Sequence, residues 1–452
     1  MPGLPRNSMT RLNLIPVLCL ILGFMASARP LQAATSAPDL EARVATLEAE
    51  LQALKAQLAE LQAKGAASPA SATGVQDAAA PPAATSESGA AAVASNAPAE
   101  RPALSWFGYG ELNYTRPTDN PSEARADLAR FVLGAGYRFD ERTRLQSELE
   151  IEHAVSSASD PGEVEIEQAY IEHELNGAAR VRAGLFLIPS GLLNENHEPT
   201  RYYGVFRNFV ETAIIPSTWR EGGAGFQGIS AGGLRWDAGL TTGFDLSKWD
   251  ATSSEGATSP LGSIHQELAL ARAAQPSVYA ALNYTGIEGL RVGASLFTGG
   301  ASQQQPGLAS SRVSLWEGHA RWQPGAWDLS ALYAHGHISG TSAINSNFIA
   351  QLADPTLVPE DFYGAYIEAA WRARAGRAWP FTPFLRVERF NTASGYAELS
   401  AGPRPLARAD QTAYTAGLQL EFAPGVIFKT DYVDLSGGSL GDRFDLGLGY
   451  EF

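Results

Sequence analysis

Cysteine is almost absent: the 452-residue chain has one, Cys19, inside the N-terminal apolar run. An internal disulfide and a structural zinc site are thereby excluded. Lysine is nearly as scarce, at four positions (Lys55, Lys64, Lys248 and Lys429). Basic charge as a whole falls short, with 33 Lys and Arg against 48 Asp and Glu, a net −15. That sign is wrong for a surface that tracks phosphates, so nucleic acid is not an expected partner. Beyond the N-terminus no uninterrupted apolar stretch reaches the roughly 20 residues that a membrane-spanning helix needs. The mean hydropathy of −0.12 does not exclude a barrel, whose strands alternate and look only mildly hydrophobic. What is present is apolar and aromatic material, 45% and 10% of residues, which excludes disorder throughout.

Residues 1–34 contain no acid; Arg6 and Arg11 precede an apolar run from Leu12 to Ala26, and small residues follow. The pattern predicts a secretory signal peptide cleaved after Ala33 or Ala34. The remaining chain would carry 30 basic and 48 acidic residues and no cysteine, which suits a bacterial envelope protein. Residues 35–64 follow with Leu40, Val44, Leu47, Leu51, Leu54, Leu58 and Leu61, spaced alternately by four and three. This heptad seam predicts a short coiled-coil helix, capped by Asp39 and ended by Gly65. Such a helix is marginal alone. Its partner is another copy of the chain, in a parallel trimer, or else an envelope component or the mouth of the following domain. Residues 65–103 are Ala, Pro, Ser and Gly with few large apolar side chains, the composition of a disordered linker.

Residues 104–452 change to period two, broken by turn residues. The alternation predicts strands near 105–116, 127–139, 143–155, 164–175, 179–188, 223–230, 234–245 and 277–285, then 289–298, 311–323, 326–338, 361–373, 381–391, 411–422, 426–436 and 442–452. Every second connection is tight, as at Asn176-Gly177, Pro324-Gly325, Ala375-Gly376 and Ala423-Pro424-Gly425, and the others are mostly long. An even strand count with this alternation predicts an all-β, 16-stranded antiparallel transmembrane barrel with short periplasmic turns. The last strand sets Phe444, Leu446, Leu448, Tyr450 and Phe452 on one face, against Arg443, Asp445 and Glu451 on the other. Aromatics gather beside the short turns (Tyr137, Phe139, Trp322, Trp327, Trp371, Trp379, Phe422, Phe428), as in an interfacial girdle. Keeping like faces together pairs Phe422 with Val426, Leu420 with Phe428, Gln419 with Lys429 and Glu174 with Arg182.

Barrels of about eight strands are filled by side chains, whereas about sixteen leave an aqueous channel. A passive diffusion pore for small hydrophilic solutes or ions follows. Residues 189–222 are the candidate constriction, because a solvated loop should not be so rich in Phe, Ile, Tyr and Trp. Folded inward, the loop would set Arg201, Arg207 and Arg220 against Glu195, Glu211 and Glu221 and filter by size and charge. The alternative is a surface loop sealing a trimer interface or covering the mouth. Alternation places Arg130, Arg138, Arg144, Arg182, Arg235, Arg291, Arg321, Arg372, Arg386 and Lys429 in the lumen, with Glu148, Glu150, Glu152 and Glu172. Glu148, Glu150 and Glu152 form a carboxylate stripe that either attracts cations or is neutralised by neighbouring arginines.

Gly184-Leu185-Phe186 before the loop, Gly222-Gly223-Ala224-Gly225-Phe226 after it, the N-terminal heptads and terminal Phe452 together resemble the phosphate-selective porin O/P family. The resemblance implies a trimeric outer-membrane channel in contact with lipid. Tyr450-Glu451-Phe452 resembles the signal read by the barrel assembly machinery. The chain departs from the family pattern in lysine, since only Lys429 falls in the lumen. Gly-x-Ser-x-Gly occurs at Gly228–Gly232 and Gly437–Gly441, each at the junction of two expected strands with no helix following, so neither reads as a nucleophile elbow. His-Glu-x-x-His does not occur, His335 and His337 read as polar lining at the mouth, and neither catalysis nor a cofactor or metal is expected. The competing expectation is structural: a barrel that tethers the membrane to the cell wall through its coiled coil and conducts little.

Overall fold

The period-two segments close on one another as sixteen antiparallel strands, each paired with its sequence neighbours. A computed structural model describes residues 103–157, 159–373, 380–400, 402–436 and 441–452. The signal peptide, the heptad helix Leu40 to Leu61 and the linker lie outside the described residues, as do the Ala375-Gly376 turn and Trp379. The strands are β1 (Leu104–Pro117), β2 (Arg125–Arg138), β3 (Thr143–Glu152), β4 (Val164–Asn176), β5 (Ala179–Leu187), β6 (Arg220–Ile229), β7 (Leu234–Thr241) and β8 (Ser277–Ile287). They continue as β9 (Leu290–Gly300), β10 (Arg312–Trp322), β11 (Trp327–Ser339), β12 (Asp361–Trp371), β13 (Phe381–Gly395), β14 (Gln411–Ala423), β15 (Val426–Ser436) and β16 (Arg443–Glu451). Closure is made by β1 against β16, with Tyr109 opposite Glu451 and Leu112 opposite Leu448. Phe452 extends the seam by exchanging backbone hydrogen bonds with Gly108 at 2.9 and 3.0 Å. A closed sheet leaves no edge to pair with another chain.

The two ends differ as the spacing predicts. Links such as 177–178, 288–289 and 424–425 are tight, while 188–219, 242–276 and 340–360 at the other end are long; the last carries the helix α1 (Ser342–Gln351). Among the described residues no helix is long and apolar enough to cross a membrane. Large apolar side chains instead stand exposed around the outside, including Ile367, Leu385, Val387 and Tyr414. Tyr137, Phe139, Trp322, Trp327, Trp371 and Phe422 are exposed beside the short turns. Surface this apolar needs lipid.

Register follows the expected faces, with local slips. Gln419 pairs with Lys429 and Leu420 with Phe428, but a bulge between Glu421 and Ala423 puts Ala423, not Phe422, opposite Val426. Glu174 lies opposite Arg180 rather than Arg182, whose partner is Glu172. The cause is a tighter turn: Asn176 Oδ1 accepts from Ala178 N at 3.0 Å, and the strand bulges between Glu174 and Asn176. Two further corrections concern placement. Arg220 and Glu221 belong to β6, because the ladder with Leu187 and Phe186 continues through them. His335 stacks on outward-facing, exposed Trp316, so it and His337 lie on the outer face beside Asp361, not in the mouth.

The interior is less wet than a uniform polar lining would make it. Phe297, Val313, Leu315, Leu332, Ala334, Ile338 and Phe362 are buried and packed in one cluster. The cluster is completed by Ile188, Val210, Ile214, Ile215 and Trp219 of the 188–219 connection, and by Phe244, Leu246, Leu261 and Ile264 of the 242–276 connection. Trp219 anchors it, with ring centroids 5.3 Å from Phe244 and 4.6 Å from Phe297. Burying such a side chain stabilises by roughly 1.5–3 kcal/mol, which holds both connections against the wall.

Candidate functional site

The 188–219 connection is a loop pinned within the barrel from several sides. Pro189-Ser190-Gly191 starts it, and Gly191 adopts φ +75°. A Cβ at Gly191 would lie 2.3 Å from Glu211 Oε1, so only glycine lets the backbone come this close. Glu211 Oε1 accepts from Leu192 N (2.6 Å) and Leu193 N (2.8 Å), and its Oε2 accepts from Asn208 Nδ2 and Tyr366 Oη (both 2.9 Å). This carboxylate binds the start of the loop, its far limb and β12 together. Asn194 closes the neck: its Oδ1 accepts from Trp219 N at 2.7 Å, and its Nδ2 donates to Ile188 O at 2.7 Å.

His197 ties the loop to the opposite wall. Its Nε2 is 2.8 Å from Glu167 Oε1 and 2.7 Å from Tyr109 Oη, while Nδ1 faces Asn194 O at 3.0 Å. Glu167 reaches it because it is the extra residue of a bulge: Glu148 pairs with Gln168 and Leu149 with Ile166. Bulges re-aim side chains in this way. Burial disfavours the His197 imidazolium, but the charge and hydrogen bond of Glu167 outweigh that and hold its pKa above the ordinary value. Beyond it, Tyr202 Oη donates to Glu111 (2.8 Å), Tyr203 Oη to Asp328 (2.7 Å), Lys429 Nζ to Gly204 O (2.8 Å), and Val205 N to Asp431 Oδ2 (2.6 Å). Burial, then the facing carboxylates, raise both tyrosine pKa values.

The residues expected at the constriction fall into two groups. Arg220 pairs with Glu165 and, at 2.7 Å, with Glu267; Glu221 is wholly buried and accepts from Thr242 Oγ1 (2.6 Å) and Gly243 N (2.9 Å). With Glu211, these two are braces. The others border water-sized space. Arg201 lies 3.2 Å from Glu451, Glu195 lies 3.4 Å from Arg235, and Arg207 meets hydroxyls, donating to Thr218 Oγ1 at 2.9 Å. Within the stripe, Glu148 and Glu150 are buried, and Arg130 stands 2.9 Å from Glu111 and 3.6 Å from Glu150. The expected lumen residues Arg182 (3.1 Å from Asp237), Arg321 (2.7 Å from Asp328) and Arg386 (2.8 Å from Glu388) are paired inside the wall. Arg372 lies just past β12 and donates to Gly325 O at 3.1 Å, and Arg138 ends β2 at the short-turn side.

Three cavities border the loop. One of about 580 Å³, on the side of the long connections, is lined by Arg125, Arg130, Arg207 and Arg443 with Glu111 and Glu123. One of about 460 Å³, on the short-turn side, is lined by Arg201, Arg321 and Arg372 with Asp328, Glu421 and Glu451. A third of about 350 Å³ holds Arg144, Arg180, Arg182 and Arg235 with Glu172 and Glu195. Thr200, Arg201 and Tyr203 face the second cavity, and Tyr202, Phe206 and Arg207 face the first. One short stretch of chain therefore separates two cavities. Together the cavities present eleven arginines and seven carboxylates, the reverse of the −15 of the whole chain.

Among the described residues, two clusters have metal-ligand side chains within 4.8 Å: Glu148, Glu167 and His197, and Glu150, Glu152 and Glu165. In the first, His197 and Glu167 already satisfy each other; the second stands beside Arg130 and Arg220. Neither donor set needs an ion to explain it. The Glu211 clamp and the Glu167 bulge were missed from sequence. For the latter a cue exists, since Glu165 and Glu167 are odd-numbered while Glu172 and Glu174 are even, a break in alternation within one strand.

No family model matches the chain. An uncharacterized protein of Aquifex aeolicus (strain VF5) is 28% identical over 332 residues, covering 72% of this chain and 74% of that one. OmpF of Salmonella typhi, solved in complex with daunomycin, superposes with a TM-score of 0.54 at 14% identity, over 77% of this chain and 97% of OmpF. The outer membrane channel DcaP of Acinetobacter baumannii gives a TM-score of 0.47 at 12% identity, over 77% and 97%. The likeness to OmpF is one of fold: a porin-type barrel.

Proposed function

We propose that the chain is an outer-membrane porin, a water-filled channel for passive diffusion of small hydrophilic solutes that favours anions. The carrying observation is the stretch Thr200 to Arg207, which lies between two cavities and faces arginine into both. Charge fixed at a narrow point filters ions by sign, and guanidinium stays protonated at any working pH. The family reading is the phosphate-selective porin O/P type. In this chain arginine takes the place of a lysine ladder, because Lys429 is committed to Gly204 O and to the Tyr202 ring, 3.6 Å away. The heptads at residues 35–64 support a homotrimer, and Tyr450 and Phe452 a client of the barrel assembly machinery.

Planar-bilayer recordings test this. Discrete conductance steps and a reversal potential of anion sign in a salt gradient are expected. Neutralising Arg201 and Arg207 should move that potential towards cation preference, while Arg220→Gln should act on stability. A silent bilayer would reject the pore and favour the tether between membrane and cell wall.

A further inference from the structure

The cavity of about 580 Å³ on the long-connection side has a lining that a pore for hydrated ions does not require. Its arginines are unequally served. Arg130 has Glu111 at 2.9 Å, Arg443 has Asp445 at 2.8 Å, and Arg125 has Glu123 at 3.5 Å. Arg207 has no carboxylate partner among the described residues; its Nη1 donates to Ser217 and Thr218 hydroxyls, and Nε and Nη2 have no hydrogen-bond partner. The residue is only 8% exposed. A buried cation with idle N–H groups is costly unless something supplies the missing acceptor. Phe206 and Phe209 line the same cavity, and the Arg443 guanidinium sits 5.3 and 5.5 Å from their ring centroids.

We infer that this cavity is a binding site for organic monocarboxylates with an apolar, preferably aromatic, body. The carboxylate would meet Arg207, whose planar fork matches two oxygens, and the apolar body would pack on Phe206 and Phe209. Inorganic phosphate gains nothing from two phenylalanine rings, and acetate offers them one methyl group. The inference rests on the channel reading and names the solute class of its outer vestibule.

Benzoate is the probe, with acetate and inorganic phosphate as comparators, on the refolded full chain in detergent. Saturation-transfer NMR should show benzoate in contact with protein, its apparent affinity at least about tenfold above acetate, and little displacement by equimolar phosphate. Arg207→Gln should weaken benzoate about ten- to hundredfold, and Phe206→Ala should weaken benzoate while leaving acetate as it was. If Arg207→Gln does not refold, Arg207→Lys decides: charge without the fork should still lower benzoate affinity. Equal binding of the three anions, or full benzoate binding to the Arg207 variant, overturns the site. Conductance in KCl is read separately. Conducting channels without benzoate contact reject the site alone; benzoate contact on a protein that never conducts rejects the channel alone.

Discussion

Glu211→Gln removes one oxygen and one charge from the clamp on the inward loop, and its cost can be worked from the contacts. Four donors converge on the carboxylate: two backbone amides on Oε1, and Asn208 Nδ2 with Tyr366 Oη on Oε2. A glutamine can present its oxygen to only one pair. With the oxygen on Leu192 N and Leu193 N, the new NH2 faces Asn208 Nδ2 donor to donor. Asn208 cannot turn over to help, because its Oδ1 already accepts from Glu211 N at 2.7 Å. Tyr366 can rotate its hydroxyl and accept. Hydrogen bonds to a charged group contribute about 1.5–3 kcal/mol against about 0.5–1.5 for neutral ones, and a stranded buried donor costs about 1–3. Two weakened amide bonds and one stranded donor come to about 3–5 kcal/mol. Local opening of the loop should then rise by about a hundredfold to several thousandfold, since each 1.4 kcal/mol is tenfold. Hydrogen exchange at the Leu192 and Leu193 amides should speed up accordingly, while the β-sheet signal of the barrel stays as it was. Single-channel records should gain open-channel noise. Unchanged protection at both amides would show that the loop is not held by Glu211, and the clamp would fail as an explanation.

Gly191→Ala should act on the same clamp: a left-handed φ and a Cβ 2.3 Å from Glu211 Oε1 predict about 1–3 kcal/mol of loop destabilisation, read by the same exchange experiment. The His197 anchor predicts a pH dependence. Because the folded pKa is raised, its contribution is complete below about 6.5, the ordinary histidine value, and fades as pH climbs through the folded value. Open-channel noise should therefore grow on the alkaline side, and His197→Gln should flatten that response; a wild-type trace insensitive to pH there contradicts the anchor. Ile367→Arg introduces charge on the outward face, where the residue is 69% exposed halfway along β12. It should cost about 2–4 kcal/mol in urea unfolding from liposomes, and a neutral effect would mean that this face does not meet lipid.

Strand number and the inward face were legible because both depend on a local rule. Alternation such as Phe444, Leu446, Leu448 against Arg443, Asp445, Gly447 needs only neighbours to be read. The corrections arise where a distant partner or a single extra residue decides. Asn176 tightens its turn and moves Arg182 two places along β4; Glu167 is inserted as a bulge and so reaches His197. The expected loop ran to 222, whereas pairing carries β6 back to Arg220. The apolar patch inside the barrel was hidden differently. Val313 and Leu315 face inward as their positions require, and whether an inward apolar residue is wetted or covered depends on loops elsewhere in the chain. The aromatic richness of the constriction segment was the one local trace of that cover.

The charge of the whole chain misleads about the charge a solute meets, and the reason is chemical. A loop crossing a lumen leaves backbone N–H groups without strand partners, and buried N–H groups must find acceptors. Carboxylates can serve; guanidinium, which has no acceptor, cannot. Accordingly Glu211 takes Leu192 and Leu193, Glu221 takes Gly243, Glu388 takes Val210, and Asp431 takes Val205. Acids spent on amides are buried with them. Arginines are left to border the open space, so in an acidic protein two of these cavities carry an excess of arginine and the third holds arginines and carboxylates in equal number. It follows that replacing surface acids on the outer rim should change net charge without changing ion preference. Replacing Arg201 or Arg207, a far smaller change in net charge, should alter it.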